Sequence, residues 1–323
     1  MRMRINEVVA PLLMFAALLA SPAAARAQAD QAPTDAPALE PDWKKPFPIG
    51  FSLDYTLVSD YVWRGINLSE YAGEGREKPN HQLGVGVSLD TSDVLGPDSN
   101  FGEFAGCIWF EWYAAQQRLT PWTGTNLQEV DYTVSWSYEI APIGTTVELG
   151  WIAYHFPPYR RSGSPSADAA TTYEVYGKVS FDDSLIFGSP LLNPYVAYYL
   201  DVDVIRAGWL EFGVSHDFAL ADLGLGDVAV LKHITITPSA VLGVSDRYYD
   251  RAGVGSANGS GMRLGNINYG LELTYDLSSS LGLPAQYGSL TAGAFINYSQ
   301  AVHDVGGSVN DILYGGMKLG YSW

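Results

Sequence analysis

The sequence has little cysteine, little charge and few basic residues, and each shortage excludes a class of protein. One cysteine, Cys107, stands among 323 residues, and a lone thiol cannot build the intramolecular disulfide framework of a small secreted scaffold. Lys and Arg number 18 against 35 Asp and Glu, for a net charge of −17. This balance disfavours nucleic acid as a partner, because phosphates bind basic surfaces. Charged residues make up 16% of the chain, where about a quarter is usual.

The first 27 residues have the features of a secretory signal. Arg2 and Arg4 precede an apolar core at 8–20, and Ala25-Arg26-Ala27 supplies small residues around a predicted cut after Ala27. Residues 28–49 are rich in Ala, Pro, Asp and Gln, which predicts a flexible periplasmic leader. Beyond the signal no run of about 18 apolar residues follows, so no helical membrane span is predicted.

From residue 50 to 323 the chain alternates apolar and polar residues with a period of two, in stretches separated by turns. Because a helix would scatter such residues around its circumference, only a strand sorts them into two faces. The clearest stretch is 130–140, which places Val130, Tyr132, Val134, Trp136, Tyr138 and Ile140 on one face and Asp131, Thr133, Ser135, Ser137 and Glu139 on the other.

Stretches of this kind predict about twelve antiparallel strands, with 10–14 as the range, and single-chain bacterial barrels have even strand numbers. A soluble β-sandwich alternates as well, so the aromatic residues decide between the two folds. Trp and Tyr near predicted strand ends, among them Tyr61, Trp63 and Trp151, are typical of the girdles of a transmembrane β-barrel. The sequence also ends on an aromatic, Trp323, with Tyr321 and Leu319 in phase behind it. We therefore predict an all-β transmembrane antiparallel barrel in the bacterial outer membrane.

Several segments resemble a known family in the same order along the chain. They are Leu57-Val58-Ser59-Asp60-Tyr61-Val62-Trp63-Arg64-Gly65-Ile66, Glu129-Val130-Asp131, residues 148–157 and residues 173–177. They are similar to segments of the TorF-type family of proteobacterial porin-like proteins, with a specific match up to about residue 181. The resemblance implies an outer-membrane, porin-like barrel and names no substrate.

The face opposite the aromatics is predicted to line the lumen, and it is mostly acidic. The candidate lumen and solute-contact residues are Asp54, Asp60, Arg64, Glu111, Glu129, Asp131, Glu148, Glu174, Lys178 and Glu272. About twelve strands enclose a lumen narrower than that of the large porins, and an acidic wall favours cations over anions. The predicted function is passive diffusion of small hydrophilic solutes, cationic or neutral, without catalytic residues, metal or cofactor. The predicted partners are outer-membrane lipid, lipopolysaccharide, the solute and, during biogenesis, the barrel-assembly machinery.

Other interpretations stay open. The lumen charges could pair with one another and stiffen the wall; Asp60 and Arg64 lie four residues apart, about 13 Å on an extended strand, so each would pair with a neighbouring strand. Glu174 and Lys178 repeat that spacing.

The barrel could also be non-conducting and act through its loops as an adhesin or structural protein. A lipid-modifying enzyme is a further alternative, although Ser215 and His216 are adjacent and so point to opposite faces of a strand.

Overall fold

The structure is a computed structural model that describes residues 48–71, 79–96, 100–113, 127–160, 169–252, 261–302 and 309–323. The predicted signal (1–27) and all but the last two residues of the predicted leader (28–49) lie outside the described residues. Nearly all of the regular structure is β-strand, as the period-two alternation requires. The strands in chain order are β1 Gly50–Val58, β2 Val62–Trp63, β3 Ile66–Asn67, β4 Asn80–Asp90, β5 Glu103–Tyr113, β6 Leu127–Ile140, β7 Thr145–Arg160, β8 Ala169–Phe181, β9 Tyr195–Asp201, β10 Gly208–Ser215, β11 Phe218–Ala219, β12 Ile234–Asp246, β13 Met262–Asp276, β14 Ser289–Ala301 and β15 Ile312–Ser322.

The strands form a closed wall in which sequential neighbours pair antiparallel. The order around the wall is β1, β4 to β10, β12, β13, β14 and β15. The short β11 pairs with β12 beyond the end of β10, so β10 and β11 act as one interrupted strand and the wall has twelve positions. β15 pairs back with β1, with Leu53 opposite Tyr321, and this closes the barrel. The predicted transmembrane antiparallel barrel of about twelve strands is confirmed.

The two faces of the wall differ as the alternation predicts. On β6, Tyr132 and Val134 lie on the outside, where Val134 keeps 54% of its surface exposed, while Asp131 and Glu129 point inward. Large apolar side chains are also exposed on the outside of the other wall strands, for example Met317 at 68%. Stacked aromatic pairs such as Trp151–Tyr173, with ring centroids 5.6 Å apart, belong to the same surface. Exposed apolar side chains in a closed belt are what a lipid-facing surface requires.

The two ends of the barrel are built differently. At one end, here called the turn end, the connections include short helical segments: Thr91–Leu95, Ala141–Ile143, Ser184–Phe187, Ala221–Leu225, Leu231–His233, Leu277–Leu281 and Ala285–Tyr287. The opposite end, called the loop end, carries the helical turns Leu68–Tyr71 and Tyr248–Arg251. No helix among the described residues is both long enough and apolar enough to cross a membrane.

At the loop end, the chain between β1 and β4 turns into the lumen. Strand β1 ends at Val58, and residues 59–71, here called the lumen hairpin, contain the β2–β3 pair and the helical turn Leu68–Tyr71. Ser59 N–H donates to the Gly315 carbonyl at 2.8 Å, which fixes the start of the hairpin to β15. Val58, Tyr61 and Ile66 are buried, so the interior of this barrel is packed around the hairpin at one end.

Candidate functional site

The lumen hairpin crosses the full width of the barrel. It leaves the wall at β1, and its tip meets Glu174 on β8 and Trp209 on β10. Each of these strands lies five positions away from β1 in a wall of twelve, one in each direction. The tip therefore reaches the side of the wall opposite its origin, and the hairpin forms the constriction of the lumen.

Arg64 at the hairpin tip is held by a buried bidentate ion pair. Its Nη1 and Nη2 donate to Glu174 Oε1 and Oε2 at 2.7 and 2.9 Å, and the two side chains are only 3% and 2% exposed. Tyr154 O–H donates to Glu174 Oε2 at 2.9 Å. Burial by itself would lower the pKa of Arg64, but the facing Glu174 carboxylate outweighs it and the pKa is raised. This geometry is the strongest form of Arg–carboxylate contact.

Four aromatic rings surround the same guanidinium. The Arg64 Cζ atom lies 4.4 Å from the ring centroid of Tyr248 and 4.7 Å from that of Trp63, with Tyr199 at 5.4 Å and Trp209 at 5.6 Å. All four are within the range at which a ring face attracts a cation. The charge is thus compensated by one carboxylate and a cage of rings, and the guanidinium itself is almost fully buried.

The hairpin turn has a left-handed backbone at both central residues. Arg64 has φ +50° and Gly65 has φ +77°, the combination of a type I′ hairpin turn. A Cβ at Gly65 would lie 3.0 Å from the Asn266 side chain on β13, so glycine is favoured for both backbone and space. Arg64 adopts a conformation that non-glycine residues rarely take, and the contacts of its side chain hold it there.

A small apolar core locks the hairpin from the other side. Ile66 forms a β-bridge with Val309 and packs with Trp209, Tyr248 and Tyr249, all buried. Tyr249 O–H donates to the Arg64 carbonyl at 2.6 Å. Burial raises the pKa of Tyr249, so this phenol stays a neutral donor. The helical turn Tyr248–Arg251 thus acts as a lid against which the hairpin rests.

Three carboxyl groups gather beside the hairpin and are here called the acid cluster: Glu111, Glu129 and Asp131. Glu111 on β5 lies directly opposite Glu129 on β6, and Asp131 lies two residues further along β6 on the same face. Three neighbouring buried carboxyl groups repel one another when ionised, so the cluster favours a bound proton or a cation. Tyr61 and Glu129 both line the cavity beside the hairpin, and burial, together with the nearby Glu129 charge, raises the pKa of this phenol. Both oxygens of the fully buried Glu111 lack a hydrogen-bond partner among the described residues.

A cavity of about 280 Å³, here called the mouth pocket, lies between the hairpin and the wall at the loop end. Its walls are mainly aromatic and aliphatic, and include Tyr61, Trp63, Tyr154, Phe156, Ile205 and Tyr248. Of the described residues that line it, the charged ones are all acidic, namely Glu129, Glu174 and Asp201. Glu174 is neutralised by Arg64. Asp201 is satisfied by loop N–H groups, including those of Ile205 and Arg206, and by the Thr172 hydroxyl.

The remaining candidate residues lie along the lumen away from the constriction or at its base. Asp54 is exposed on the β1 wall, and Glu148 accepts from Tyr176 O–H at 2.6 Å. Lys178 Nζ lies 5.0 Å from the ring centroid of Tyr195. Glu272 pairs with Lys318 at 2.6 Å. Asp60 is buried and accepts from Asn67 Nδ2 at 2.9 Å, so it braces the base of the hairpin.

Two expectations about the region 59–67 are wrong. Asp60 and Arg64 do not lie on an extended strand, because β1 ends at Val58, so the strand spacing between them does not apply. Arg64 instead pairs across the lumen with Glu174. Tyr61 and Trp63 are not girdle residues, since Tyr61 is buried beside Trp109 inside the barrel and Trp63 packs on Tyr154. The alternation shows only that these aromatics share a face. It does not distinguish a strand end that faces lipid from a hairpin that turns into the lumen, because both produce the same sequence pattern.

The lid residues Tyr248 and Tyr249 and the cage residues Tyr199 and Trp209 were not among the predicted site residues. Their aromatic character was visible in the sequence, but aromatics are also frequent on the lipid face of a barrel. Trp209 lies at an inward position of β10, paired with Ser245 on β12, and strand phase was the signal that could have separated it from the girdle.

A closed wall of twelve antiparallel strands with an apolar outer belt defines the chain as a transmembrane β-barrel, the class that spans the bacterial outer membrane.

No protein-family model matches the chain, and no curated protein matches it, so the resemblance to the TorF-type family stays a prediction. Solved structures similar to it include the NanC porin, with 13% identity over 84% of this chain and 98% of that one and a TM-score of 0.40. The outer membrane phospholipase A of Escherichia coli has 12% identity over 84% and 92%, with a TM-score of 0.38. The COG4313 outer membrane channel of Pseudomonas putida F1 has 8% identity over 90% and 99%, with a TM-score of 0.42. At such identities and scores these likenesses carry no conclusion about function.

Proposed function

We propose that this chain is an outer-membrane channel for passive diffusion of small hydrophilic solutes, with cations and neutral molecules favoured over anions. The observation that carries the proposal is the polarity of the interior: a closed barrel surrounds carboxyl groups at Asp54, Glu148 and Glu272 as well as the acid cluster. Rings of Asp or Glu favour cations in a pore. The lumen hairpin narrows the path, so we expect a small conductance.

The test is single-channel recording of the refolded protein in a planar bilayer under a salt gradient. Discrete conductance with a reversal potential that indicates cation selectivity supports the proposal. The double substitution Glu111→Gln with Asp131→Asn should reduce that selectivity while leaving the barrel folded. Unchanged selectivity in the folded variant would remove these two residues from the conducting path.

A second candidate is a non-conducting barrel that acts through its loops as an adhesin or a structural protein. The observation in its favour is the hairpin itself, which spans the lumen and is fixed by a buried ion pair and a lid. A folded barrel that conducts neither as isolated nor with the hairpin released would support this candidate. For the lipid-modifying alternative, another histidine, His155, lies on β7, whereas Ser215 lies on β10, and these strands are not neighbours in the wall. A phospholipid-hydrolysis assay on the same preparation tests it directly.

The chain's processing and surroundings belong to the same proposal. A signal removed after Ala27 would leave residues 28–49 as a periplasmic leader before a barrel of residues 50–323. N-terminal sequencing of the mature protein should therefore begin at Gln28. Lipid contacts the apolar belt, lipopolysaccharide borders the loop end, and the barrel-assembly machinery inserts the folded wall.

A further inference from the structure

We infer that the mouth pocket is a binding site for organic cations that join one primary ammonium group to an apolar, preferably aromatic, body. This deepens the proposed channel function and rests on it, since it names the class of solute that the constriction would capture. The inference stands on two features that meet at one place: aromatic walls and an acid cluster with unpartnered oxygens.

The walls of the pocket suit an apolar body. Tyr61, Trp63, Tyr154 and Tyr248 present rings from three different parts of the chain, and Phe156 and Ile205 add apolar surface. Ring faces attract cations as well as apolar groups. The pocket therefore offers little to a purely hydrophilic anion.

The floor of the pocket suits a positive charge. Glu129 lines the cavity. Glu111 lies opposite Glu129 on the neighbouring strand, and Asp131 lies two residues further along β6. Both oxygens of Glu111 and one of Asp131 are buried without a hydrogen-bond partner among the described residues. Unlike Glu174, the acid cluster forms no ion pair with a basic side chain among the described residues. An ammonium group brings both the positive charge and three N–H donors.

An organic cation fits this cluster better than a metal ion does. Within the described ranges no group of three or more His, Cys, Asp or Glu side chains has an arrangement that could hold a metal ion. A metal ion would also leave the aromatic walls unused. An ammonium group at Glu129 with its body between Trp63 and Tyr248 uses both features.

Binding should displace a proton. Glu111 and Glu129 face each other on neighbouring strands, Asp131 lies on the same face, and no described basic side chain pairs with them. Because like charges so close together are not all ionised, the cluster without a bound cation holds at least one proton. When an ammonium ion contacts Glu129, its charge favours the ionised form of the cluster, and the proton leaves to solvent. The charged groups that face the cluster region are Glu111 on β5, Glu129 and Asp131 on β6, Glu174 on β8 and Arg64 on the hairpin, with the phenols of Tyr61 and Tyr154.

The experiment is isothermal titration calorimetry of the full-length barrel in detergent, with phenethylamine as the probe. The matched ligands are 2-phenylethanol, which lacks the charge, phenylacetate, which reverses it, and methylamine, which lacks the body. We expect phenethylamine to bind at least tenfold more tightly than each of them. Titration in buffers of different ionisation enthalpy should show proton release on binding.

Substitutions locate the site. Glu129→Gln should weaken phenethylamine binding at least tenfold and abolish the proton release, whereas Glu139→Gln, an exposed acid at the far end of the same strand, should change neither. If Glu129→Gln does not fold, Glu111→Gln takes its place with the same expectation. Equal binding of the alcohol, or unchanged binding in the folded Glu129→Gln variant, overturns the inference.

Conductance is not the readout, so the two proposals fail separately. A barrel that binds phenethylamine at this site but does not conduct supports the inference and contradicts the proposed channel function. A cation-selective channel that does not bind phenethylamine supports the channel function and contradicts the inference.

Discussion

Removal of the Arg64 guanidinium should release the lumen hairpin and widen the path through the barrel. In Arg64→Met the Glu174 carboxylate would remain almost fully buried, with the Tyr154 hydroxyl as its remaining partner at 2.9 Å. Leaving one member of a buried pair without its partner costs about 3–5 kcal/mol. At roughly 1.4 kcal/mol for each power of ten, this shifts the equilibrium between inserted and released hairpin by about two to nearly four powers of ten. A hairpin inserted in roughly 99 of 100 molecules would then be released in most of them.

The assay is single-channel conductance of the refolded variant beside the unmodified protein. The wall strands and their pairing do not depend on Arg64, so the barrel should still fold while the conductance of each channel rises. Glu174→Leu should act in the same direction, because it leaves the Arg64 charge buried and unpaired. The double variant Arg64→Met with Glu174→Leu should destabilise the inserted hairpin by less than the sum of the two single substitutions, since no unpaired charge is left buried.

The matched control is Lys318→Met, which removes a more exposed ion pair of the lumen wall. Lys318 and Glu272 are 32% and 23% exposed, and pairs open to water contribute about 0–1 kcal/mol. The hairpin should therefore stay inserted, and the large-conductance state expected of Arg64→Met should not appear. A folded Arg64→Met barrel with unmodified conductance, or an equal effect from Lys318→Met, would refute the view that this ion pair holds the constriction.

Three further predictions concern the lid, the lipid face and a glycine of the wall. Tyr249→Phe removes one buried hydrogen bond to the hairpin, worth about 0.5–1.5 kcal/mol, so channels should open more often but less than in Arg64→Met; bursts of larger conductance are the readout. Val134→Arg on the lipid face should lower the free energy of unfolding by about 2–4 kcal/mol, measured by urea unfolding from bilayers. Ser135→Arg on the lumen face should lower it much less. Equal decreases in the two variants would contradict the assignment of faces. A Cβ at Gly150 would lie 2.3 Å from the Tyr176 ring, so Gly150→Ala should displace that ring and lower the unfolding midpoint; an unchanged midpoint would show that the ring moves freely.

The alternation along the chain was sufficient to predict the wall. The predicted number of about twelve strands agrees with the twelve positions of the wall, and residues 130–140 fall within β6 as predicted. The physical reason is local: a strand between lipid and a polar lumen must alternate, and charge on the lipid face costs free energy at every position. The inward position of acids such as Glu111, Glu148 and Glu174 follows from the same rule, since phase alone fixes the side of the wall.

What the sequence could not decide is what lies inside the wall. Tyr61, Trp63 and Arg64 fit the pattern of a strand end, yet the chain turns at Val58 and carries them across the lumen. The partners that make this turn stable, Glu174, Trp209 and Tyr249, come from 110, 145 and 185 residues further along. Their proximity depends on the closure of the barrel, in which β1 and β9 face each other. The sequence by itself determined the barrel and its acidic interior, because both are set by neighbours in the chain; the constriction, the acid cluster and the mouth pocket were decided by tertiary structure, because contacts across a lumen have no local pattern.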